Sequence, residues 1–292
     1  MPTSIAANSP ARRPRHSARR FTADHPGIVA CGRAGWCAKG LVYVIAGALI
    51  LAVAAKASGW ATTAAANEEA SPTGAFATVA DSTGGSLVLV LLAAGMLLYA
   101  GWRLVTAALP GATDASAMLH RVGYVVSAIM YTTFAITAIE LARNSQADQD
   151  GNRRVSDLSA SVMEHTAGRL VIGLVAVIVM VVGAYRVSKG VRVDVTDEMN
   201  LGGMSADRVR WTKRLGAAGE IGRGIGIGLV GFFMLRAAIT YRSAEATGLD
   251  GALRRLAEQS WGQVVVALVG IGFVAYGIFC LATFTHRQLQ AP

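Results

Sequence analysis

Charged residues are scarce in this sequence: they make up 15% of its 292 residues, against about a quarter in a typical soluble domain. Hydrophobic residues make up 53%, and three stretches, at 82–102, 122–139 and 259–285, contain no charged side chain. Each is long enough to cross about 30 Å of hydrocarbon as a helix. A soluble globular domain is therefore excluded, and an integral membrane protein is predicted.

Histidine and cysteine are also rare, with five and three residues. The histidines lie outside the apolar stretches or at their edges, and neither a haem-attachment motif, a metal-spaced cluster nor a nucleophile motif is present. The sequence therefore predicts no cofactor, no metal and no catalytic activity.

Three further apolar stretches are shorter and bounded by basic residues, whose long side chains can reach the lipid headgroups. The weakest, at 224–235, spans a bilayer only if Arg223 and Arg236 enter its ends. Continuous apolar runs form helices rather than the alternating strands of a membrane barrel. An all-α fold is predicted, with six membrane helices at roughly 36–56, 84–105, 122–142, 168–187, 218–241 and 261–284.

The first 33 residues are rich in arginine and proline, and such a segment cannot bury enough apolar surface to fold. Residues 1–33 are therefore predicted to be a disordered basic tail. A cleaved secretory signal is the alternative, but the apolar run that follows is too long and begins only after Trp36. The Arg19–Arg20 pair resembles a twin-arginine signal only loosely.

Basic residues favour one side of the predicted helices, the side of the amino terminus. The positive-inside rule places that side, and both termini, in the cytoplasm. The three cysteines fall on or near the same side, where thiols stay reduced, so no disulfide is expected. The net charge of +9 is explained by this bias together with anionic lipid of the inner leaflet, which is the predicted partner. A nucleic-acid partner is not predicted, because no folded basic face is visible.

A short phrase occurs three times, each time directly before an apolar stretch. It reads GAFATVADSTGG at 74–85, DLSASVMEHTAG at 157–168 and GALRRLAEQSWG at 251–262. In each copy an acidic residue stands four positions before the closing glycine, and an aromatic residue follows seventeen positions after it. The preceding helix of each unit also opens on a glycine: Gly35, Gly123 and Gly219.

These matches make the chain three copies of a two-helix unit. Two membrane helices per unit give every unit the same orientation, which predicts a pseudo-threefold six-helix bundle of parallel repeats. The phrase itself fits either a short amphipathic helix on the outer surface or the first turns of the next membrane helix. The predicted divisions are repeat 1 at 34–110, repeat 2 at 118–192, a cytoplasmic linker at 193–214 and repeat 3 at 215–287.

The signatures GWCAKGLVYVIAG, RVGYVVSAIMY and GEIGRGIGIGLVG resemble an actinobacterial family of multi-pass membrane proteins built from a threefold repeated domain of unknown function. The resemblance covers roughly residues 30–287. The middle repeat departs from the pattern, with Ser127 where a basic residue is expected. Membership implies the bacterial cytoplasmic membrane and no catalytic residues.

Two groups of polar residues are candidates for a site. Lys39, Ser127 and Arg223 stand four residues after the opening glycines of their repeats and would form a ring near the cytoplasmic end. Such a ring could bind a lipid headgroup, a phosphate or an acidic partner, although ordinary anchoring is the favoured alternative. Glu140 and Arg236 lie at equivalent depths near the outer face. An ion pair between them is predicted, the alternative being that both extend to the headgroups.

The fifth membrane helix has four regularly spaced glycines, and its GIGLVG at 226–231 matches a dinucleotide-binding fingerprint letter by letter. That fingerprint requires a preceding strand, which is not predicted here. Close helix packing is therefore predicted for Gly222, Gly224, Gly226 and Gly228.

Two functions remain open on the sequence. The favoured one is a non-catalytic accessory or scaffold protein that binds lipid or another membrane protein complex. The alternative is a small ion or solute channel or carrier along the pseudo-threefold axis, although the helices offer few polar residues to line a path. A centre filled with apolar side chains would favour the first function, and a hydrated path the second.

Overall fold

The computed structural model describes residues 26–60, 67–108, 115–144, 157–158, 160–162, 166–195, 204–240, 242 and 245–285. Within these ranges there are helices and no strands, as predicted. The helices are α1 (Pro26–Ala57), α2 (Pro72–Ala80), α3 (Gly85–Ala108), α4 (Ala115–Arg143), α5 (Thr166–Val191), α6 (Ala206–Thr240), α7 (Leu249–Ala257) and α8 (Gly262–Thr283).

Six of these helices, all except α2 and α7, are long and apolar enough to cross a membrane, which confirms the six predicted spans. Three of them begin about two turns or more earlier than predicted: α1 at Pro26, α4 at Ala115 and α6 at Ala206. The added turns carry arginine and lysine, which are good helix formers outside the hydrocarbon. Residues 26–33 are thus helical rather than disordered, and 206–214 are helical rather than linker, while residues 1–25 lie outside the described residues.

The six long helices alternate in direction, so the bundle has two distinct ends. We call the end at which α1 begins the tail end. The opposite end, at which α2 and α7 lie, is the cap end.

Each second helix of a repeat packs against the first helix of the next repeat: α3 against α4, α5 against α6, and α8 against α1. Glycines permit the close approach. A Cβ added to Gly277 would lie 2.6 Å from the carbonyl oxygen of Gly40, and one added to Gly183 would lie 2.8 Å from that of Gly224. At the α3–α4 interface the equivalent positions hold two buried alanines, Ala100 and Ala128. The three interfaces between repeats therefore use the same positions.

In the part of the chain that the structure describes, the two helices of a repeat pack together in the first and third copies and not in the second. A Cβ added to Gly35 would lie 2.5 Å from the Cβ of Tyr99, and one added to Gly219 would lie 2.6 Å from the Cβ of Tyr276. Among the described residues, α4 and α5 form no such interface. A Cβ added to Gly123 would meet no atom within 4 Å. The predicted threefold rotation is thus interrupted in the middle repeat and stays a prediction.

Replacing Gly277 with valine tests the packing between repeats. The new Cβ would meet backbone atoms of α1, which cannot rotate away, so we expect a loss of about 1–3 kcal/mol in the free energy of unfolding. The matched control is Gly101→Val on α3, where an added Cβ meets nothing within 4 Å. Thermal unfolding in detergent measures both, and an equal effect of the two substitutions would contradict the packing described.

The cap end is covered by α2 and α7, which occupy equivalent places in the first and third repeats. Pro72 opens α2, and the hydroxyl of Ser71 accepts a hydrogen bond from the amide of Gly74, as a helix cap does. Phe76 of α2 and Leu253 of α7 are fully buried against the bundle. The repeated phrase is therefore a separate short helix in these two copies, and the alternative of a mere first turn of the next helix is wrong there.

One buried carboxylate links α7 to the segment that precedes α2. Asp250 of α7 accepts a hydrogen bond from the amide of Ala70, before α2, at 2.8 Å. It also pairs with Arg254 at 2.8 Å, and that guanidinium donates to the carbonyl of Glu68 at 2.5 Å. The first and third repeats are thus joined at the cap end as well as along α1 and α8.

Candidate functional site: a buried cation–aromatic cluster

Lys39 lies on α1 towards the tail end and is only 5% exposed. Aromatic rings surround its ammonium group. A cation over the electron-rich face of a ring is attracted to it, and the attraction grows when water is excluded. The distances from Nζ to the ring centroids are 4.7 Å for Trp36, 5.2 Å for Tyr99, 5.2 Å for Tyr131, 5.3 Å for Tyr276 and 6.0 Å for Tyr43. We call these five rings the aromatic cage.

The repeat places four of the five rings at the centre of the bundle. Tyr43 and Tyr131 each stand eight residues after the opening glycine of their first helix. Tyr99 and Tyr276 each stand fourteen residues after the opening glycine of their second helix. The rings also contact one another: Tyr99 and Tyr131 are 4.7 Å apart in an edge-to-face arrangement, and Tyr43 and Tyr276 are 4.9 Å apart.

A second buried cation shares two rings of the cage. The guanidinium of Arg223 on α6 lies 4.0 Å from the centroid of Tyr276 and 4.8 Å from that of Tyr43. Glu220, one turn earlier on α6, pairs with Arg223 at 3.4 Å. Its other oxygen accepts a hydrogen bond from Arg186 of α5 at 3.0 Å. Charged side chains of α5 and α6 therefore contact one another in sequence, from Arg186 through Glu220 to Arg223 at the aromatic cage.

The cluster has more positive than negative charge. Lys39, Arg186 and Arg223 face the single carboxylate of Glu220 within the contacts described above. The hydroxyl of Tyr131 is buried and has no hydrogen-bond partner among the described residues, a costly state for a polar group away from water. Excess positive charge with an available hydroxyl donor is an environment that favours anions over metal cations.

The structure brings two of the three residues of the predicted polar ring together. Lys39 and Arg223 both contact Tyr43 and Tyr276, so they belong to one cluster. Ser127 is half-buried on α4, one turn from Tyr131, and makes none of the described contacts. The aromatic residues were missed, although their equal repeat positions were a signal that could have identified them.

The predicted ion pair between Glu140 and Arg236 is not the pair that the structure forms. Arg236 of α6 instead pairs with Glu245, in the segment before α7, at 2.9 Å. Glu140 is exposed on α4, which shares no extensive interface with α6 among the described residues. The two residues stand at equivalent positions of their repeats, but equivalent positions do not make helices neighbours.

The four glycines predicted to pack on α6 all lie at close contacts with other helices. A Cβ added to Gly222 would lie 2.6 Å from the Cα of Gly272 on α8, and one added to Gly224 would lie 2.7 Å from the carbonyl oxygen of Gly183 on α5. One on Gly226 would lie 3.1 Å from Leu249. Gly228 is approached at its backbone: a Cβ added to Gly183 would lie 2.8 Å from the amide nitrogen of Gly228, although a Cβ added to Gly228 itself would meet no atom within 4 Å.

Six long apolar helices, capped at one end and carrying a buried cation–aromatic cluster, define a multi-pass helical membrane protein. The Domain of Unknown Function (DUF1206) family matches residues 34–109, 122–193 and 218–283, more than half of the chain. The chain belongs to this family, and the three matches confirm the threefold repeat found in the sequence.

A relative from Bacillus subtilis (strain 168), described as "Uncharacterized protein YxxB", is 27% identical over 267 residues. The match covers 90% of this chain and 93% of the relative. No solved structure matches the chain. An actinobacterial origin stays a prediction.

Within the described residues, no group of three His, Cys, Asp or Glu side chains is placed to hold a metal ion.

Proposed function

We propose that this protein is a non-catalytic accessory or scaffold protein of the bacterial cytoplasmic membrane, which holds anionic lipid or another membrane protein complex. The observation that carries the proposal is the filled centre of the bundle. The chain's own lysine occupies the aromatic cage at the tail end, and Phe76 of the cap helix α2 is fully buried at the other end.

The residues between the cage and the caps add to this support. Fully buried apolar side chains lie there, and a hydrated path would instead need polar groups along its length. They include Ala46, Ile50, Leu89 and Val266.

The tail-end extension of α6 offers a surface for an acidic partner or an anionic membrane. Trp211 is exposed, and the guanidinium of Arg214 lies 5.7 Å from its ring centroid. Arg210 and Lys213 stand on the same extension. In this proposal the tail end faces the cytoplasm, because basic residues next to membrane helices favour that side.

A carrier or channel for anions is the second candidate. Lys39 and Arg223 on shared rings favour it, since buried cations at the centre of a bundle attract anions.

Two measurements on the purified protein test these functions against each other. In vesicles, we expect chloride and phosphate fluxes no faster than in vesicles without protein. A flux that is lost on Lys39→Met would overturn the accessory assignment in favour of a carrier.

In mild detergent, we expect anionic lipid or a defined membrane complex to co-purify. The combined Arg210→Gln, Lys213→Gln and Arg214→Gln variant should retain less of it, and unchanged retention would count against the α6 surface.

A further inference from the structure

Tyr131 of α4 has a buried hydroxyl that no protein group satisfies in the part of the chain that the structure describes. The residue is 2% exposed, and its ring stands edge-to-face against Tyr99 at 4.7 Å. Its oxygen has no hydrogen-bond partner there. A buried polar group in this state costs free energy unless something other than protein satisfies it. Because the ring is one wall of the aromatic cage, the unsatisfied hydroxyl lies in the interior of the bundle and not at its surface.

Arg223 of α6 has more hydrogen-bond donors than the described residues use. A guanidinium carries five N–H groups. One of them donates a hydrogen bond within the described residues, from Nη1 to Glu220, at 3.4 Å, which is long for such a bond. The same carboxylate accepts a shorter hydrogen bond, at 3.0 Å, from Arg186. The Arg223 side chain is only 6% exposed, so its unused donors are held largely away from water.

These unused donors lie close together. Arg223 and the Tyr131 hydroxyl are near enough to act on each other electrostatically. Lys39 adds a second cation, with its Nζ 5.2 Å from the ring centroid of Tyr131. It also acts on Glu220, as Arg186 and Arg223 do. The carboxylate of Glu220 is therefore shared among three cations, and the unsatisfied hydroxyl beside them can donate to an anion.

We propose that the hydroxyl of Tyr131 and the guanidinium of Arg223 bind one halide ion, such as chloride, inside the cation–aromatic cluster. A halide accepts hydrogen bonds from any direction and donates none. It therefore matches a site in which two of the three polar groups, the guanidinium and the ammonium of Lys39, can only donate. A buried water molecule must donate as well as accept, and it makes about three hydrogen bonds. The positive charge of the site also favours an anion over water.

The packing of the cluster limits the size of the anion. The rings of Tyr99 and Tyr131 are 4.7 Å apart, and those of Tyr43 and Tyr276 are 4.9 Å apart. All four residues are buried. Rings packed at contact distance favour a monatomic ion over a phosphate or a carboxylate, which has several oxygens to accommodate. The inference goes beyond the accessory role and does not rest on it, because it assigns a resident ion to the interior of the bundle.

Removing the hydroxyl alone gives the sharpest test, since Tyr131→Phe keeps the ring of the cage. The measurement is the melting temperature of the full-length protein in detergent, as chloride replaces gluconate at constant ionic strength. For the unchanged protein we expect a saturable rise, because a ligand that binds the folded state stabilises it. In Tyr131→Phe the apparent dissociation constant for chloride should be at least tenfold higher, which is the effect of losing a hydrogen bond to a charged group.

The order of stability of the two proteins should also reverse with chloride. Without chloride, Tyr131→Phe should be at least as stable as the unchanged protein, because a buried unsatisfied hydroxyl has been removed. At saturating chloride the unchanged protein should be the more stable of the two. An equal chloride response in both proteins, or no response in either, would overturn the proposal.

Equilibrium dialysis against radioactive chloride counts the bound ions directly, and we expect one saturable site per chain. The site should be lost in the double variant Glu220→Gln with Arg223→Gln, which removes the guanidinium together with the carboxylate that pairs with it. The matched control is Tyr185→Phe, which removes a hydroxyl from a tyrosine that is 63% exposed and should retain the ion. Retention in the double variant, or equal loss in the control, would show that chloride binds elsewhere and would overturn the proposal.

Failure of this inference is distinguishable from failure of the proposed function. Chloride that binds without any flux through vesicles would support the site and leave the accessory assignment standing. A flux that is lost on Lys39→Met would overturn that assignment, and the halide site would then be the anion site of a carrier. A protein that binds no chloride would overturn the halide site alone.

Discussion

Replacing Lys39 with alanine is expected to destabilise the protein more than any other single change of a lysine in the described residues. The substitution removes a cation from five rings and leaves a void among them. A desolvated cation–π contact is worth about 2 kcal/mol, and a large-to-small change in a core costs about 2–5 kcal/mol. We therefore expect a loss of at least about 2 kcal/mol in the free energy of unfolding, seen as a lower melting temperature in detergent.

The aromatic cage also predicts chemical rescue of this variant. The missing fragment is n-propylammonium, which should bind the vacant cage and restore about 1.4 kcal/mol when present at ten times its dissociation constant. Propan-1-ol fills the same volume without charge and should restore less. Lys56→Ala, which removes an exposed lysine from the same helix, should be nearly neutral and should not respond to either molecule. Equal rescue by the alcohol would mean that the cage recognises volume and not charge.

The second large effect is expected for Glu220→Gln. The carboxylate neutralises Arg223 and also accepts from Arg186, and its side chain is only 14% exposed. Removing one partner of a buried ion pair leaves the other charge uncompensated, at a cost of about 3–5 kcal/mol. A lower melting temperature in detergent measures this loss.

A surface pair on the same helix supplies the control for Glu220. Asp207 and Arg210 pair at 3.3 Å, but the aspartate side chain is 84% exposed, so Asp207→Asn should cost no more than about 1 kcal/mol. A double variant, Glu220→Gln with Arg223→Gln, should recover part of the loss, because the stranded cation is then absent. If the double variant were less stable than Glu220→Gln alone, the carboxylate would not be acting through Arg223.

The repeat pattern alone predicted a large part of this architecture. The apolar stretches located the six helices, and counting from the opening glycines of the repeats put Lys39 and Arg223 at one level, where the structure brings them onto shared rings. Equivalent positions of the repeats come to the same level because each repeat is the same pair of helices. Depth is read along the chain, and the apolar runs mark the membrane clearly.

Neighbours across the bundle could not be read in the same way. Glu140 and Arg236 stand at equivalent repeat positions, but α4 lies beside α3, and Arg236 pairs with Glu245 in the segment before α7. The open middle repeat was missed for a related reason. It depends on the bulk of Val126 and Ile178 compared with the small residues at equivalent positions, and no count of apolar residues registers that difference.

The contact between α1 and α8 has a consequence for biosynthesis. The indole of Trp36 donates a hydrogen bond at 3.3 Å to Thr283, which lies 247 positions further along the chain. The ribosome makes the chain from its amino terminus, so α1 enters the bilayer long before the helix that supplies Tyr276 exists. Until synthesis ends, the ammonium of Lys39 lacks part of its cage and must stay near water. A chain truncated before α8 would keep four of the five rings and lack Tyr276, so the enclosure of this charge is completed only by the last helix.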